Sequence, residues 1–139
     1  MTTTAPTTTV ADAAVAAYLA GDADAFADLC TEDVLVELVV PQWRFQIEGR
    51  ESARAGLKNE EFLPNREVLW HRQTATADGV LLELDCTAPM HGETHRWFEM
   101  NHIHIAGDQI VAIVQYCSGF QDAATQARNA AEAPLVRQR

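Results

Sequence analysis

The chain has 139 residues, of which 47% are hydrophobic, and its formal net charge is −10 at pH 7. This length and composition predict one globular domain with one substantial core. The acidic balance argues against a nucleic-acid partner or an anionic membrane surface, because both require clustered Lys and Arg side chains.

The N-terminal segment and the cysteines bear on location. Residues 1–9, MTTTAPTTT, lack the positively charged and apolar regions of a signal peptide, and we interpret them as a flexible tail. Cys30, Cys86 and Cys117 are widely spaced and odd in number. This pattern predicts reduced thiols in a cytoplasmic protein. No apolar run approaches the roughly 18 residues of a membrane span, so we expect no membrane partner.

Three helices are predicted in the first half of the chain. Apolar residues recur at helical spacing over 10–20, and Gly21 ends that segment. Asp22 is then placed to cap a short second helix. A third helix, at roughly 50–62, ends before Pro64, which cannot continue it.

The strands follow from β-branched segments separated by turns. They are expected at 34–40, 43–47, 66–77, 80–88, 94–106 and 109–118. Glycine-containing turns join the later strands as antiparallel hairpins. The pattern predicts an α+β fold, in which a cone-shaped, curved antiparallel sheet wraps around three N-terminal helices and leaves a cavity at its open end.

The predicted elements divide the chain into three parts. A tail at 1–9 precedes a domain at 10–119, and a helical extension occupies 120–139. An Ala-rich segment at roughly 121–133 predicts the helix of that extension, and Pro134 ends it.

The strand at 94–106 carries the strongest indication of function. Alternate side chains of a strand lie on opposite faces, so Trp97, Glu99 and Asn101 share a face with Ile103 and Ile105. The isoleucines are expected in the core. Polar groups on that inward face are costly unless they are paired, which indicates a cavity with working groups in its wall.

The opposite face of this strand carries His102 and His104. A metal would need a further ligand, for which Asp85 and Glu83 on the neighbouring strand are the candidates. Because apolar residues share this outer face, we expect a homodimer interface there and predict no metal and no cofactor.

Three segments carry a family resemblance: AAYLAGDADAFADLCTEDV at 16–34, FQIEGRESARAGL at 45–57 and IAGDQIVAIVQY at 105–116. With the elements in this order, the chain resembles the nuclear-transport-factor-2-like superfamily. That group includes ketosteroid isomerase, scytalone dehydratase, limonene-epoxide hydrolase and the SnoaL-like polyketide cyclases. The resemblance implies the cone-shaped fold and leaves the activity open, since one scaffold hosts enzymes and non-enzymes.

The resemblance transfers to individual positions unevenly. Asn101 falls where ketosteroid isomerase carries the acid of its oxyanion hole, and an amide can also donate a hydrogen bond there. The catalytic base of the isomerase would fall at Leu38 and its tyrosine at Ala14, so both of those functions are missing. Tyr116 matches a tyrosine of many SnoaL-like proteins, but Ser118 stands where they carry an aspartate.

Three residues are predicted to be catalytic. Glu99 is the candidate general acid or base, because a carboxylate among apolar neighbours is suited to proton transfer near neutral pH. Asn101 is the candidate donor to a carbonyl or enolate oxygen. His71 is a candidate proton shuttle that resembles a histidine of scytalone dehydratase, although either Trp70 or His71 could be the inward residue of its strand.

Six further residues are expected to contact a substrate: Trp97, Trp43, Gln115, Leu38, Tyr18 and Cys117. We therefore predict an enzyme that acts on a hydrophobic small molecule by cofactor-free acid–base chemistry, as a cyclase, isomerase or dehydratase of secondary, polyketide-like metabolism. The alternative is a non-catalytic protein that binds or shapes a reactive intermediate.

Overall fold

A computed structural model of the chain describes residues 9–137. The tail predicted at 1–9 therefore lies, except for Thr9, outside the described residues. The elements of the described part follow the predicted order, with helices first and long strands after them.

The helices are α1 (Val10–Ala20), α2 (Ala23–Asp28), α3 (Arg50–Gly56) and α4 (Ala123–Glu132). Asp22 caps α2 as predicted, since its carboxylate accepts a hydrogen bond of 3.0 Å from the backbone N–H of Ala25. Gly21 adopts the left-handed conformation that ends α1, with φ 69°. Within residues 9–137, no helix combines the length and apolar character that crossing a membrane requires.

The third helix differs from its prediction in one respect. Residues 50–62 do not form a uniform α-helix, because α3 is followed directly by a π-helix at Leu57–Glu61. A π-helical turn is wider than an α-helical one and recurs at functional sites. Here it carries Glu61 toward the interior of the cone, as described below.

Six strands form one sheet: β1 (Cys30–Val40), β2 (Trp43–Glu48), β3 (Glu67–Thr76), β4 (Gly79–Met90), β5 (Glu93–Ala106) and β6 (Gln109–Cys117). Their order is β2-β1-β6-β5-β4-β3, and the sheet is curved and unclosed. The pairings are antiparallel as predicted, except that β1 runs parallel to β6.

The core lies between the concave face of the sheet and the N-terminal helices. Phe26 of α2 is fully buried there, together with Leu82, Ile103 and Ile110 of the sheet. Register shifts interrupt three of the strand pairings, and such irregularities bend a strand. The predicted α+β cone is thereby confirmed.

The start of the C-terminal extension is tied to β5. Arg96 and Gln121 exchange two backbone hydrogen bonds of 3.0 and 2.8 Å. Phe120 packs edge-on against Trp97, with ring centroids 4.9 Å apart. None of the residues in Ala123–Glu132 is buried, so α4 itself lies at the periphery of the domain.

Candidate active site

The inward face of β5 carries the polar residues that the alternation predicted. Trp97, Glu99 and Asn101 are 2%, 6% and 1% exposed, on the same face as the core residue Ile103. Buried polar groups require partners. In this structure the partners come from α1, β5 and β6, and they converge on the carboxylate of Glu99.

Glu99 accepts hydrogen bonds on both of its oxygens. Its Oε1 accepts from the Tyr18 hydroxyl at 2.7 Å and from the Asn101 amide at 3.3 Å. Its Oε2 accepts from the Trp97 indole at 3.1 Å and from the Gln115 amide at 3.0 Å. An ionised carboxylate is an acceptor only, so these contacts match the charged form of Glu99 and fix its position.

Tyr18 reaches this carboxylate from the inward face of α1. Its ring packs edge-on against Phe26 and Phe62, with centroid distances of 5.7 and 5.1 Å. Burial, followed by the charge of Glu99, raises the pKa of the Tyr18 phenol well above its usual value. The hydroxyl therefore keeps its proton and acts as a donor to Glu99.

A second carboxylate, Glu61, belongs to the same group of side chains. Its Oε2 accepts a hydrogen bond of 2.8 Å from Gln115 Nε2 and lies 3.4 Å from the Tyr18 hydroxyl. Among residues 9–137, no Lys or Arg forms a salt bridge with Glu61 or Glu99. Burial, followed by the charge of Glu99, raises the pKa of Glu61 from its ordinary value of 4.5 to about 7.

Glu61 was missed by the sequence reasoning, which treated it as part of an ordinary helix. One signal was available, because Leu57 and Glu61 stand four residues apart and such residues share a helix face. Leu57 is buried, so an inward Glu61 follows from an inward Leu57. The approach to Gln115 comes from long-range packing and has no sequence pattern.

A small cavity adjoins these groups. Its volume is about 30 Å³, room for roughly two water molecules. Apolar side chains form most of its wall, with Tyr18, Glu61, Asn101 and Gln115 as polar members beside Glu60. Glu99 is not among the described residues that line the cavity. Its carboxylate lies behind Tyr18, Asn101 and Gln115, which do line it.

Residues 11–113 match the SnoaL-like domain family. The chain belongs to this family. No curated protein matches the chain. The family match agrees with the resemblance inferred from the sequence.

Solved structures with the same fold are numerous. A nuclear-transport-factor-2-like protein from Anabaena variabilis has a TM-score of 0.68 at 20% identity, with 79% of this chain and 87% of that chain covered. A candidate polyketide cyclase from Xanthomonas campestris pv. campestris has a TM-score of 0.60 at 19% identity, with coverages of 77% and 86%. A phenazine biosynthesis-related protein from Pseudomonas aeruginosa has a TM-score of 0.62 at 14% identity, with coverages of 94% and 90%. At these identities the likeness shows the fold alone.

Leu38, Ala14 and Ser118 stand where relatives carry functional side chains, and each has a structural role here. Leu38 is 7% exposed and contributes an apolar wall to the cavity of this SnoaL-like protein. Ala14 is fully buried in the core. The hydroxyl of Ser118 accepts a hydrogen bond of 2.9 Å from the Phe98 backbone N–H and donates to the Gly119 carbonyl, so it ties the end of β6 to β5.

Of the predicted site residues, Trp97, His71, Trp43 and Cys117, like Glu99, do not line the cavity. Trp97 lies beside Glu99 and donates a hydrogen bond to it. His71 is exposed on β3, the outermost strand at that side of the sheet. Trp43 is 64% exposed at the start of β2 and packs on Phe45. Cys117 is half-buried opposite Glu99, and burial raises the pKa of its thiol to about 11, so the thiol stays protonated and inert.

The choice between Trp70 and His71 is decided by a bulge. The register shift between Val68 and Trp70 sets Trp70 opposite Asp85, on the outer face of the sheet. His71 pairs with Leu84 and thus has the inward parity. It is nonetheless exposed, because an edge strand has a neighbour on one side only, and the structure does not bring it to Glu99.

The metal ligands suggested from the sequence are paired with cations. Asp85 forms two hydrogen bonds with the Arg96 guanidinium, at 3.0 and 2.7 Å. Glu83 forms two with Arg72. Within the described residues, neither carboxylate belongs to the group of ligand atoms that lies around His102 and His104.

Proposed function

We propose that this SnoaL-like protein is an enzyme that transfers protons within a hydrophobic small molecule, as a cyclase, isomerase or dehydratase. The observation that carries the proposal is the pair of carboxylates, Glu61 and Glu99, joined by one amide and one phenol beside an apolar cavity. With a pKa of about 7 for Glu61, this carboxyl exchanges its proton readily at neutral pH.

Glu61 is the group that exchanges a proton with the substrate, because it lines the cavity and Glu99 does not. In its ionised form it removes a proton from the carbon next to a carbonyl group. The electron pair of that C–H bond moves into the new C=C bond, and the carbonyl oxygen becomes an enolate. Asn101 lines the cavity and uses one amide proton for Glu99, which leaves a second for this oxygen.

The enolate has three outcomes that use the same two groups. In a β,γ-unsaturated ketone the enolate is conjugated with the C=C bond, and return of the proton from Glu61 to the γ-carbon completes an isomerisation. Loss of a β-hydroxyl, protonated by Glu61 as it leaves, completes a dehydration. Attack of the enolate carbon on a second carbonyl of the same molecule completes a cyclisation, with the proton passing to the new alkoxide.

Glu99 acts as a positioning residue through Tyr18 and Gln115. Its negative charge contributes to the raised pKa of Glu61. The Tyr18 hydroxyl lies 2.7 Å from Glu99 and 3.4 Å from Glu61, so it offers a proton path between the two carboxylates. The role predicted for Glu99 is thus divided in this proposal, with the exchange itself assigned to Glu61.

Substrate admission requires movement of the cavity wall. A volume of about 30 Å³ is far below the roughly 300–1,000 Å³ of typical ligand sites. Leu57 of the π-helix lines the cavity and is 8% exposed. We infer that displacement of this segment opens the site to ring-sized molecules.

The proposal is tested by hydrogen–deuterium exchange at the α-carbons of a panel of ketones, from butanone to 2-tetralone, followed by NMR in D₂O. We expect the wild type to accelerate exchange and Glu61→Gln to lose about a hundredfold or more of the rate. Glu67→Gln is the matched control, since Glu67 is exposed on β3. Catalysed exchange that survives in folded Glu61→Gln would overturn the assignment.

Glu99→Gln separates positioning from direct transfer. Removal of its charge is expected to move the pH midpoint of the exchange rate below 7, toward the ordinary value of a glutamate, because one cause of the raised Glu61 pKa is gone. A lost rate with no shift in the midpoint would instead make Glu99 the exchanging group.

The second candidate function is a protein that binds or shapes a reactive intermediate without proton transfer. It is favoured by one observation, namely that the four donors facing Glu99 are all engaged internally. Under this function, ketones of the panel would bind in the cavity, as seen by NMR chemical shifts, while wild type and Glu61→Gln exchange their protons at the same uncatalysed rate.

We also propose that the protein is cytoplasmic, which its unpaired cysteines support.

We further propose a homodimer formed through the outer face of the sheet. The support is a shallow depression on that face, where Met100 and Tyr116 are 40% and 55% exposed. Light scattering should show a dimer that Met100→Glu converts to a monomer, while Leu135→Glu, at a residue 70% exposed on the extension, leaves it intact. A monomeric wild type would contradict the dimer.

A further inference from the structure

The outer face of β5 holds a second group of side chains, at the opposite side of the sheet from the cavity. Asp78, His102 and His104 each offer one ligand atom, and the three atoms lie within 4.8 Å of one another. Asp78 Oδ2 lies 2.6 Å from His104 Nδ1, and Asp78 Oδ1 lies 3.4 Å from His102 Nε2. We call these three residues the Asp78 cluster.

The two histidines are brought together by the alternation of β5. Positions 102 and 104 lie on one face of the strand, and their ring centroids are 3.9 Å apart with planes inclined by 38°. Both rings are partly buried, which limits their movement. One carboxylate therefore contacts a nitrogen of each ring.

Asp78 is held against β5 by its backbone. Its carbonyl accepts a hydrogen bond of 2.7 Å from the Ile105 N–H. The next residue, Gly79, pairs with His104 so closely that a Cβ atom on Gly79 would stand 1.9 Å from the Ile103 carbonyl oxygen. The turn can approach β5 this closely only with glycine, and this approach places the Asp78 carboxylate over the histidines.

A further polar contact orients the cluster. The Thr76 hydroxyl lies 3.2 Å from Asp78 Oδ1 and 3.4 Å from His102 Nε2. These contacts keep the Asp78 carboxylate between Thr76 and the two imidazoles.

We propose that the Asp78 cluster binds Zn²⁺. Two imidazoles and one carboxylate are a ligand set that zinc accepts, at bond lengths of about 2.0–2.2 Å. Tetrahedral ligand atoms at such bond lengths stand about 3.3 Å from each other. The three atoms here lie within 4.8 Å of one another, so small side-chain rotations that move each atom by about an ångström bring them to coordination distance. The Asp78 side chain is 55% exposed, which leaves the fourth position to water.

The site is independent of the proposed proton transfer, and it shares the outer face of the sheet with the proposed dimer interface. It lies on the outer face and uses none of the residues assigned to proton transfer. Its third ligand comes from the turn between β3 and β4, whereas the strand neighbours Asp85 and Glu83 pair with arginines. With zinc bound, this turn would be joined to β5 by a metal link in addition to the hydrogen bonds.

The test is a titration of tag-free, metal-stripped protein with ZnCl₂, followed by isothermal calorimetry near neutral pH. We expect one equivalent to bind, and His102→Ala, His104→Ala and Asp78→Asn each to weaken the binding tenfold or more. His91→Ala is the matched control, because His91 is an exposed histidine in the turn between β4 and β5, and it is expected to bind as the wild type does.

A second measurement needs no variant. In wild type, one equivalent of Zn²⁺ should shift the NMR resonances of the His102 and His104 rings and leave those of His91 in place. The proposal is overturned if the wild type binds Zn²⁺ no more tightly than the folded His102→Ala/His104→Ala double variant. It is also overturned if the ring resonances of both residues stay unchanged at saturation.

Discussion

The two faces of the sheet each bury a carboxylate, but the partners of these carboxylates differ in charge. On the inner face Glu99 of β5 accepts from four neutral hydrogen-bond donors, and no Lys or Arg within residues 9–137 forms a salt bridge with it. On the outer face of the adjoining strand β4, Asp85 is as deeply buried, at 5% exposure, but has the guanidinium of Arg96 as its partner.

This difference separates a site of proton exchange from a structural ion pair. A carboxylate paired with a guanidinium keeps its charge over the working pH range. A second carboxylate placed near an ionised one, in an apolar wall, holds its proton toward neutral pH, as Glu61 does. The inner side of the sheet therefore holds a carboxyl group, that of Glu61, which gains and loses a proton near neutral pH.

The largest effect on stability is expected at Glu99. Its replacement by Leu leaves Tyr18, Trp97, Asn101 and Gln115 without this acceptor, and we expect a loss of roughly 3–5 kcal/mol in the free energy of unfolding. Asp85→Leu is the matched change on the other face. There we expect a loss of about 1–2 kcal/mol, because the 37% exposed Arg96 side chain can turn to water.

Urea unfolding monitored by circular dichroism provides both values. Equal losses for the two variants would contradict the comparison, since they would mean that the partners of Glu99 find new acceptors as easily as Arg96 does.

A smaller loss is expected at the cavity wall. Leu57 is 8% exposed, and Leu57→Ala should lower the free energy of unfolding by about 2–4 kcal/mol. The same change should admit larger ketones to the cavity. Leu69→Ala, at a leucine that is 49% exposed, is expected to change stability by no more than about 0.5 kcal/mol. Equal losses in the two variants would contradict the placement of the π-helix.

The pH dependence of stability should report Glu61 directly. Its pKa is higher in the folded state, about 7 against an ordinary 4.5, so the folded protein binds more protons between these values. The free energy of unfolding contributed by this group is complete below pH 4.5 and declines as pH rises to 7. The decline is up to about 3 kcal/mol.

The measurement is the difference between wild type and Glu61→Gln in urea unfolding across that range, with Glu67→Gln as the control. The difference should change with pH for the Glu61 variant and stay flat for the control. A flat difference for both would show that Glu61 titrates as an ordinary carboxylate.

The smallest effect is expected on the exposed side of β1 and β2. Arg44 donates a hydrogen bond of 2.8 Å to Glu37, but its side chain is 66% exposed. Water replaces such a partner readily, so Arg44→Ala should leave the thermal unfolding midpoint unchanged within error at both low and high salt. A clear loss at low salt would indicate that this pair, too, is structurally important.

The sequence predicted much of the fold because its signals are local. Alternation over 94–106 correctly placed Trp97, Glu99 and Asn101 on one face, and the apolar pattern of 10–20 gave α1 its bounds. His71 and Trp43 were less predictable. Alternation along a strand predicts which face of the sheet a side chain lies on. Whether a side chain on an edge strand is buried depends on which other elements cover that face, and the local sequence does not show this.

The amino-acid sequence by itself determined the family, the order of helices and strands, and which side of β5 faces the core, because each depends on the spacing of residues near one another in the chain. Tertiary structure alone decided that Glu61 meets Glu99 through Gln115 and Tyr18, and that Asp78 meets His102 and His104. Those contacts join residues 24 to 97 positions apart, and their distances depend on a wide helical turn and a close glycine approach that no local periodicity encodes.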